Sequence, residues 1–457
     1  MWPSSRLRRG SVQALALTPS SISNSDRQLI RGDPERLSWA GRESLSGDVQ
    51  RQACDPRWAG APDPTHVAVV VGTRPEIIKL AFVVQELGDG ARIVYTAQHY
   101  DEALAGVFFD TFGIPRPHQV VLIGGLSRGE QIGQGTSALS RLWSAQRPDA
   151  IVVQGDTNTA LAGALAANAL DIPLVHVEAG LRSFDRHMPE EHNRVLIDHL
   201  ADLCLVPTAL SYANLVREGV AAHIEITGNT VVEAVQAMLP KHSERMVILA
   251  RHHLETRAFI LATFHRPENV DVCASLETIL RQLSRLPLPV VLPVHPRTAK
   301  RLADFGLQAL TGGFHLVPAL DYRAFLALAA EASLLISDSG GLQEEATVLK
   351  CPIVVVRRST ERPEILGTFG QLVCPEQLQV AAEGVLRDLN RIHATLASLP
   401  SPYGCGAASH LTALAIQALI QDTRKPHDIP GKADAACTAL SKRDVALPGP
   451  RRPARLQ

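Results

Sequence analysis

Ten short apolar runs, nearly unbroken in Val, Ile and Leu, recur between residues 66 and 356 and alternate with longer helical patterns. The first six are HVAVVVG (66–72), RIVYTA (92–97), AIVVQG (150–155), PLVHV (173–177), LCLVP (203–207) and HIEITG (223–228). The last four are FILATF (259–264), PVVLPV (289–294), SLLIS (333–337) and PIVVV (352–356). A strand with one wet face alternates apolar and polar residues, whereas a run apolar throughout needs helices over both faces. Strand–helix alternation with short Gly/Pro junctions therefore predicts an α/β chain of parallel sheets wound from right-handed βαβ units. The runs form two sets joined near 230–245. We expect two Rossmann-like parallel-sheet domains facing a cleft, at 66–235 and 236–402, with a helix at 403–422 returning to the first. Ligands of such sheets sit beyond the carboxyl ends of the strands, so the junctions are where chemistry belongs.

By length alone, 457 residues would make about three domains. Residues 1–65 are rich in Ser, Arg, Pro, Gly and Asp without a 2 or 3.6 period, and 423–457 is basic and broken by Pro. Both are expected to be disordered extensions, leaving a two-domain body. Basic and acidic residues number 45 and 46, for a net charge of −1. That balance gives no whole-chain field for nucleic acid or an anionic membrane. Mean hydropathy is +0.04, and no run approaches the roughly 20 apolar residues of a membrane span. Seven scattered cysteines without a CxxC pair argue against a disulfide framework or a zinc site. Near the N-terminus the apolar run Ala14–Leu17 is too short for a secretory signal, so a cytoplasmic location is expected.

The first junction reads Gly72-Thr73-Arg74-Pro75-Glu76. Pro75 suits a first helical turn and Gly88 the stop. Arg74 at a helix N-terminus makes an anion site, with Lys79 one turn in; the alternative is a capped helix with a surface Arg and Lys. There is no GxGxxG, so no dinucleotide cofactor is indicated. Asp156 follows the AIVVQG run, either as the N-cap of the next helix or as a cleft residue. Glu178 follows PLVHV, and neighbouring strands lie about 4.8 Å apart, so the two acids can share one mouth. Further on, Glu190 and Arg194 fall on one helical face, which would turn Glu191 elsewhere. Several carboxylates in a water-poor cleft raise one another's pKa and suit acid/base work near neutral pH. His176, two residues before Glu178, lacks metal-ligand spacing, and no metal is expected.

In the second half, His265-Arg266 and His295-Pro296-Arg297 make basic strand exits, suited to phosphate or to proton donation, or to packing at the domain interface. Asp338-Ser339-Gly340-Gly341 leads into a helix whose N–H groups an anionic ligand can approach. Glu344 and Glu345 follow, as surface acids complementing the helix dipole or as acceptors for ribose hydroxyls. The last run leads to Thr360-Glu361-Arg362-Pro363-Glu364. The set points to a phosphorylated, hydroxyl-rich ligand held between two domains without metal or cofactor.

The blocks GTRPEIIK, TAQH, QGDTNT, HVEAGLRSFDRHMPEEHNR, TGNTVVEAV, HRPENVD, PVHPRT, DSGGLQEEA and TERPE stand in order across 66–420. Together they resemble the non-hydrolysing UDP-N-acetylglucosamine 2-epimerase family. The resemblance implies a glycosyltransferase-B-like fold, a UDP-sugar substrate, no cofactor, and a homodimer with no nucleic-acid or membrane partner. It places UDP on the C-terminal half, with Ser339, Gly340 and Gly341 at the phosphates, Glu345 at the ribose and Phe325 near the uracil. Arg74, His295 and Arg362 would add positive charge or hydrogen bonds. Asp156, Glu178 and Glu190, with Lys79, Arg194 and His265 nearby, would do the sugar chemistry. The implied reaction inverts C2 by loss of UDP to a glycal and re-addition, for surface-polysaccharide precursors. There are departures: Tyr100-Asp101 after TAQH, and Pro267 after His265-Arg266. The HRPENVD form is similar to members acting on UDP-2,3-diacetamido sugars. A hydrolysing epimerase and a glycosyltransferase of the same fold stay open as alternatives.

Overall fold

A computed structural model of the chain describes residues 66–98, 102–318 and 320–424. The expected extensions at 1–65 and 423–457 lie outside the described residues, apart from Thr423 and Arg424, as do Tyr100 and Asp101. All ten apolar runs are strands. In the first set they are β1 (Val67–Val71), β2 (Ala91–Tyr95), β4 (Ala150–Gln154), β5 (Leu174–Val177), β6 (Leu203–Val206) and β7 (His223–Ile226). In the second they are β8 (Ile260–Thr263), β9 (Val290–Pro293), β11 (Leu334–Ser337) and β12 (Ile353–Val356). Three more strands were not read from the sequence: β3 (Gln119–Val120), β10 (His315–Val317) and β13 (Gly370–Val373). Each of the three is an edge strand and short, so it carries no long buried apolar run to betray it.

The strands make a seven-stranded sheet, β3-β2-β1-β4-β5-β6-β7, and a six-stranded sheet, β10-β9-β8-β11-β12-β13. Every ladder is parallel, with β1 set against both β2 and β4 and β8 against β9 and β11. Alternate residues of β1 serve different cores. Val67, Val69 and Val71 face the apolar mass shared with the second sheet, and Ala68 and Val70 face helices on the other side. That double burial is the reason for the unbroken apolar run. Each fully buried Val or Ile contributes roughly 1.5–3 kcal/mol over exposure.

The helix Arg74–Leu87 opens on a capping box in which Thr73 and Glu76 satisfy each other's backbone N–H groups. Gly88 stops it in a positive-φ conformation (φ 56°). The last helix, Ala408–Arg424, lies against Arg74–Leu87, with His410 Nδ1 2.9 Å from Glu86. In both sheets the strand order reverses beside the first strand of the set, between β1 and β4 and between β8 and β11. Such reversals open a crevice at the carboxyl ends of the strands, and the two crevices share one cleft.

Candidate functional site

The cleft is a cavity of about 600 Å³ lined from both sheets. On its first-sheet wall the Glu76 carboxylate joins the exits of β1 and β4. It accepts from the Gly72 and Thr73 N–H groups (2.9 and 2.7 Å) and Thr73 Oγ1 (2.8 Å). From the other exit it accepts Thr157 Oγ1 at 2.7 Å. Burial pushes its carboxyl up to about 7 against the pull of these donors. The T-x-x-E spacing was the visible signal for this residue, though not for its reach to β4.

Asp156 is not a helix cap. Thr157 takes that position and accepts from the Ala160 N–H at 3.0 Å, leaving Asp156 in the turn before it, on the cleft wall. Its carboxylate receives Arg194 Nη2 at 2.5 Å. Arg194 also bonds Glu191, not Glu190. The expectation that Glu191 points elsewhere is thereby corrected. Glu191 is buried and anchored by Ser183 N (2.9 Å), Ser183 Oγ (2.7 Å) and Phe184 N (2.9 Å). The fixed acid captures the arginine one turn on, and Glu190 is left facing the cleft. Arg194 itself sits behind the wall; every other residue predicted for the site lines the cavity. His176 is a core residue, with Nδ1 2.7 Å from Asp198 and Nε2 2.8 Å from the Gly155 carbonyl oxygen. It braces the turn at Gly155, which has φ 68°.

Glu178 follows directly on β5 with φ 66°, a left-handed conformation that costs a non-glycine residue about 1 kcal/mol or more and clusters at functional sites. Gln154 Nε2 donates to its carboxylate at 2.7 Å, Arg362 Nη2 at 2.9 Å, and Lys79 Nζ closes on the same group. Burial and the neighbouring Glu344 raise the proton affinity of Glu178 more than Lys79 and Arg362 lower it. Glu344 and Glu345 are not surface acids. The helix Gly340–Leu349 turns both into the protein, where Glu344 meets Arg362 Nε at 2.6 Å and Lys79 Nζ at 2.8 Å. Glu345 accepts from Tyr322 Oη at 3.0 Å, and burial pushes it up to about 7.

The second-sheet wall is cationic. Asp338, fully buried, accepts the N–H groups of His265 and Arg266 (3.1 and 3.0 Å) and Asn269 Nδ2 (3.1 Å), fixing the β8 exit. The His265 ring lies 5.7 Å from that of His295, tilted by 40°. Burial lowers its pKa; Asp338 opposes this, but Arg266, Arg74 and Arg297 reinforce it. Ser339 is the N-cap of Gly340–Leu349 and spends no side-chain hydrogen bond on capping, leaving the first N–H groups at the cleft. A Cβ on Gly340 would stand 2.8 Å from both Arg362 Nη1 and Glu361 Oε1, whereas one on Gly341 would meet nothing within 4 Å. Phe325 lines the same wall, and Arg74 lies over the Phe108 ring at 5.5 Å. Burial opposes ionisation of Glu361, yet Arg362, Arg357, Arg194 and Arg266 hold it well below the carboxylate range.

Sequence reading missed Glu76, Tyr322 and Glu361 as site residues, and it offered Glu344 only as a surface acid or a ribose acceptor, not as a partner of Lys79 and Arg362. Among the described residues no group of three or more His, Cys, Asp or Glu is arranged to hold a metal ion. No described helix is long and apolar enough to cross a membrane.

A sequence model of the family described as UDP-N-acetylglucosamine 2-epimerase matches residues 87–417. A UDP-N-acetylglucosamine 2-epimerase of Methanococcus maripaludis is 38% identical over 335 residues, covering 70% of this chain and 92% of that one. A UDP-2,3-diacetamido-2,3-dideoxy-D-glucuronate 2-epimerase of Pseudomonas aeruginosa is 32% identical, over 75% of this chain and 97% of its own. The Methanocaldococcus jannaschii UDP-GlcNAc 2-epimerase, solved in complex with UDP-GlcNAc and UDP, superposes with a TM-score of 0.69 at 34% identity. That match spans 78% of this chain and 100% of the solved one. The two parallel sheets are thus of the glycosyltransferase-B-like kind.

Proposed function

The chain belongs to the UDP-N-acetylglucosamine 2-epimerase family, and from that premise we propose that it interconverts UDP-GlcNAc and UDP-ManNAc by elimination and re-addition of UDP. One observation carries the reading: a helix N-terminus with two cleft-facing glycines confronts, across a single cavity, a wall of carboxylates. A diphosphate needs the first and proton transfer at carbon needs the second.

UDP occupies the second-sheet wall, with its phosphates at the Ser339 hydroxyl and the N–H groups of Gly340 and Gly341, where the helix dipole favours negative charge. Glu345 accepts from the ribose hydroxyls and Phe325 borders the base. The sugar projects toward Asp156, Glu178 and Glu190. One carboxylate removes the C2 proton; the C2–H electron pair becomes the C1=C2 bond, and the C1–O bond breaks with its pair leaving on UDP. The Arg74 cation, with His265 and His295 as hydrogen-bonding partners, stabilises the departing diphosphate. Re-addition of UDP at C1 with protonation of C2 from the opposite face gives the epimer. Closure of the cleft keeps glycal and UDP together. The product then serves as a precursor for surface polysaccharide, and the active unit is a homodimer in the cytoplasm.

A second sugar is favoured by one finding, the Pseudomonas aeruginosa relative whose name carries a 2,3-diacetamido uronate. Incubation in D2O with UDP-GlcNAc, and in parallel with a UDP-2,3-diacetamido sugar, followed by NMR, separates the readings. Deuterium at C2 of UDP-ManNAc supports the proposal, and exchange confined to the diacetamido sugar supports the second reading. Free N-acetylmannosamine would mean hydrolysis, and transfer to an acceptor without C2 exchange would mean a glycosyltransferase.

A further inference from the structure

At the seam between the halves, four buried charged side chains close a ring. Lys79 and Glu178 come from the first-sheet half; Glu344 and Arg362 come from the second. Going round, Lys79 bonds Glu178, Glu178 bonds Arg362 (2.9 Å), Arg362 bonds Glu344 (2.6 Å), and Glu344 returns to Lys79 (2.8 Å). Signs alternate, and two of the four contacts cross between halves. The four side chains are at most 8% exposed.

We propose that Glu344 is a positioning residue for the epimerisation, a fixed anion on the second-sheet half that completes the ring around Glu178 only when the halves meet. The inference rests on the reading above that Glu178 exchanges a proton with the sugar.

The two acids are alike in their donors, Lys79, Arg362 and one side-chain amide each, but Glu178 lines the cavity whereas Glu344 is fully buried behind it. The Asn229 amide donates to Glu344 at 3.0 Å as the Gln154 amide donates to Glu178, and Arg362 and Lys79 hold Glu344 ionised against burial. Glu178 faces Gln154, Lys79, Arg362 and Glu344, and the last of these is its only like charge in the ring. Two cations therefore serve two carboxylates in a site too dry for water to screen them, and the acid that faces the cavity is the one placed to take a proton. Separation of the halves would take Arg362 and Glu344 away together and admit water, leaving Glu178 with Lys79 and Gln154. Removal of burial and of the neighbouring anion outweighs loss of the one cation and favours its ionised form. The acid form of Glu178 is thus tied to the closed cleft, the state in which the glycal must be reprotonated. Asp156, held by Arg194 on the far side of the mouth, has no such partner from the second sheet.

The test is the pH dependence of C2 exchange in D2O for the full chain and its Glu344→Gln, Glu344→Asp and Glu178→Gln variants. The wild-type limb that vanishes in Glu178→Gln belongs to Glu178. With the opposing charge gone, that limb should move to lower pH in Glu344→Gln by about one unit or more, the scale of a like-charge contact within 4–6 Å. Glu344→Asp keeps the charge balance but draws the carboxylate back by one methylene, and should move the limb the same way by less. A Glu344→Gln or Glu344→Asp enzyme with reduced turnover but an unmoved limb would mean a purely structural role and overturns the inference. Wild-type exchange in Glu178→Gln would instead overturn the catalytic reading beneath it.

Discussion

Replacing Glu345 with Gln should stabilise the fold at pH 8 while weakening UDP binding. The Glu345 carboxyl is displaced from 4.5 to about 7, with burial the leading cause. The folded state then binds more protons than the unfolded one between those values, so the stability it contributes is present below pH 4.5 and lost as pH rises through 7. Carried through the linkage relation, that displacement amounts to about 3 kcal/mol at pH 8. Gln keeps a carbonyl oxygen for the Tyr322 hydroxyl, which now donates at 3.0 Å. It also buries an amide N–H, at about 1 kcal/mol, so the net gain at pH 8 is about 2 kcal/mol. At pH 5 the gain should be gone, because wild-type Glu345 is then neutral in the fold. Urea unfolding at pH 5 and pH 8 reads the difference, and calorimetric titration of UDP at pH 8 reads the loss of the ribose acceptor, about tenfold or more for a hydrogen bond to a charged group. A Glu345→Gln protein equally destabilised at both pH values would refute the burial account. Undiminished UDP affinity would remove Glu345 from the ribose.

Asp156→Asn and His265→Asn should each slow epimerisation by about 10²–10⁴-fold in steady-state assays, and wild-type rates in both would retire these assignments. Gly340→Ala forces a Cβ against Arg362 and Glu361 and should cost about 1–3 kcal/mol by chemical denaturation. Gly341→Ala, with no atom within 4 Å of its Cβ, should unfold like the parent, and equal losses in the two would show that crowding is not the cause. Arg194→Met leaves the buried Glu191 without its cation and should cost about 3 kcal/mol. Arg194→Lys should recover part of that loss, and a neutral outcome in the melting curve of Arg194→Met would show that the backbone donors on Glu191 suffice.

Much of the fold was legible because its cause is local. Strands such as β1 and β11 are buried on both faces, and that burial writes itself as a contiguous apolar run. The capping box at Thr73 and Glu76 and the helix stop at Gly88 are likewise set by residues within a turn of each other. The edge strands β3, β10 and β13 escaped because a strand with one neighbour can be short and mixed in polarity.

The site divides along the same line. The strand exits and the glycines at 340 and 341 could be placed from the chain, since a parallel sheet delivers its carboxyl ends to one side. The partners of each charge could not. Glu178 and Arg362 are 184 residues apart, and Asp156 and Arg194 are 38 apart, with no period linking them. The choice of Glu191 over Glu190 for Arg194, and of Glu344 for Lys79, depends on which carboxylates the folded backbone has anchored and how far burial has removed them from water. Charge is written in the sequence, but its pairing and its protonation are decided by through-space distances and by the dielectric of the cleft, and only the packed sheets supply those.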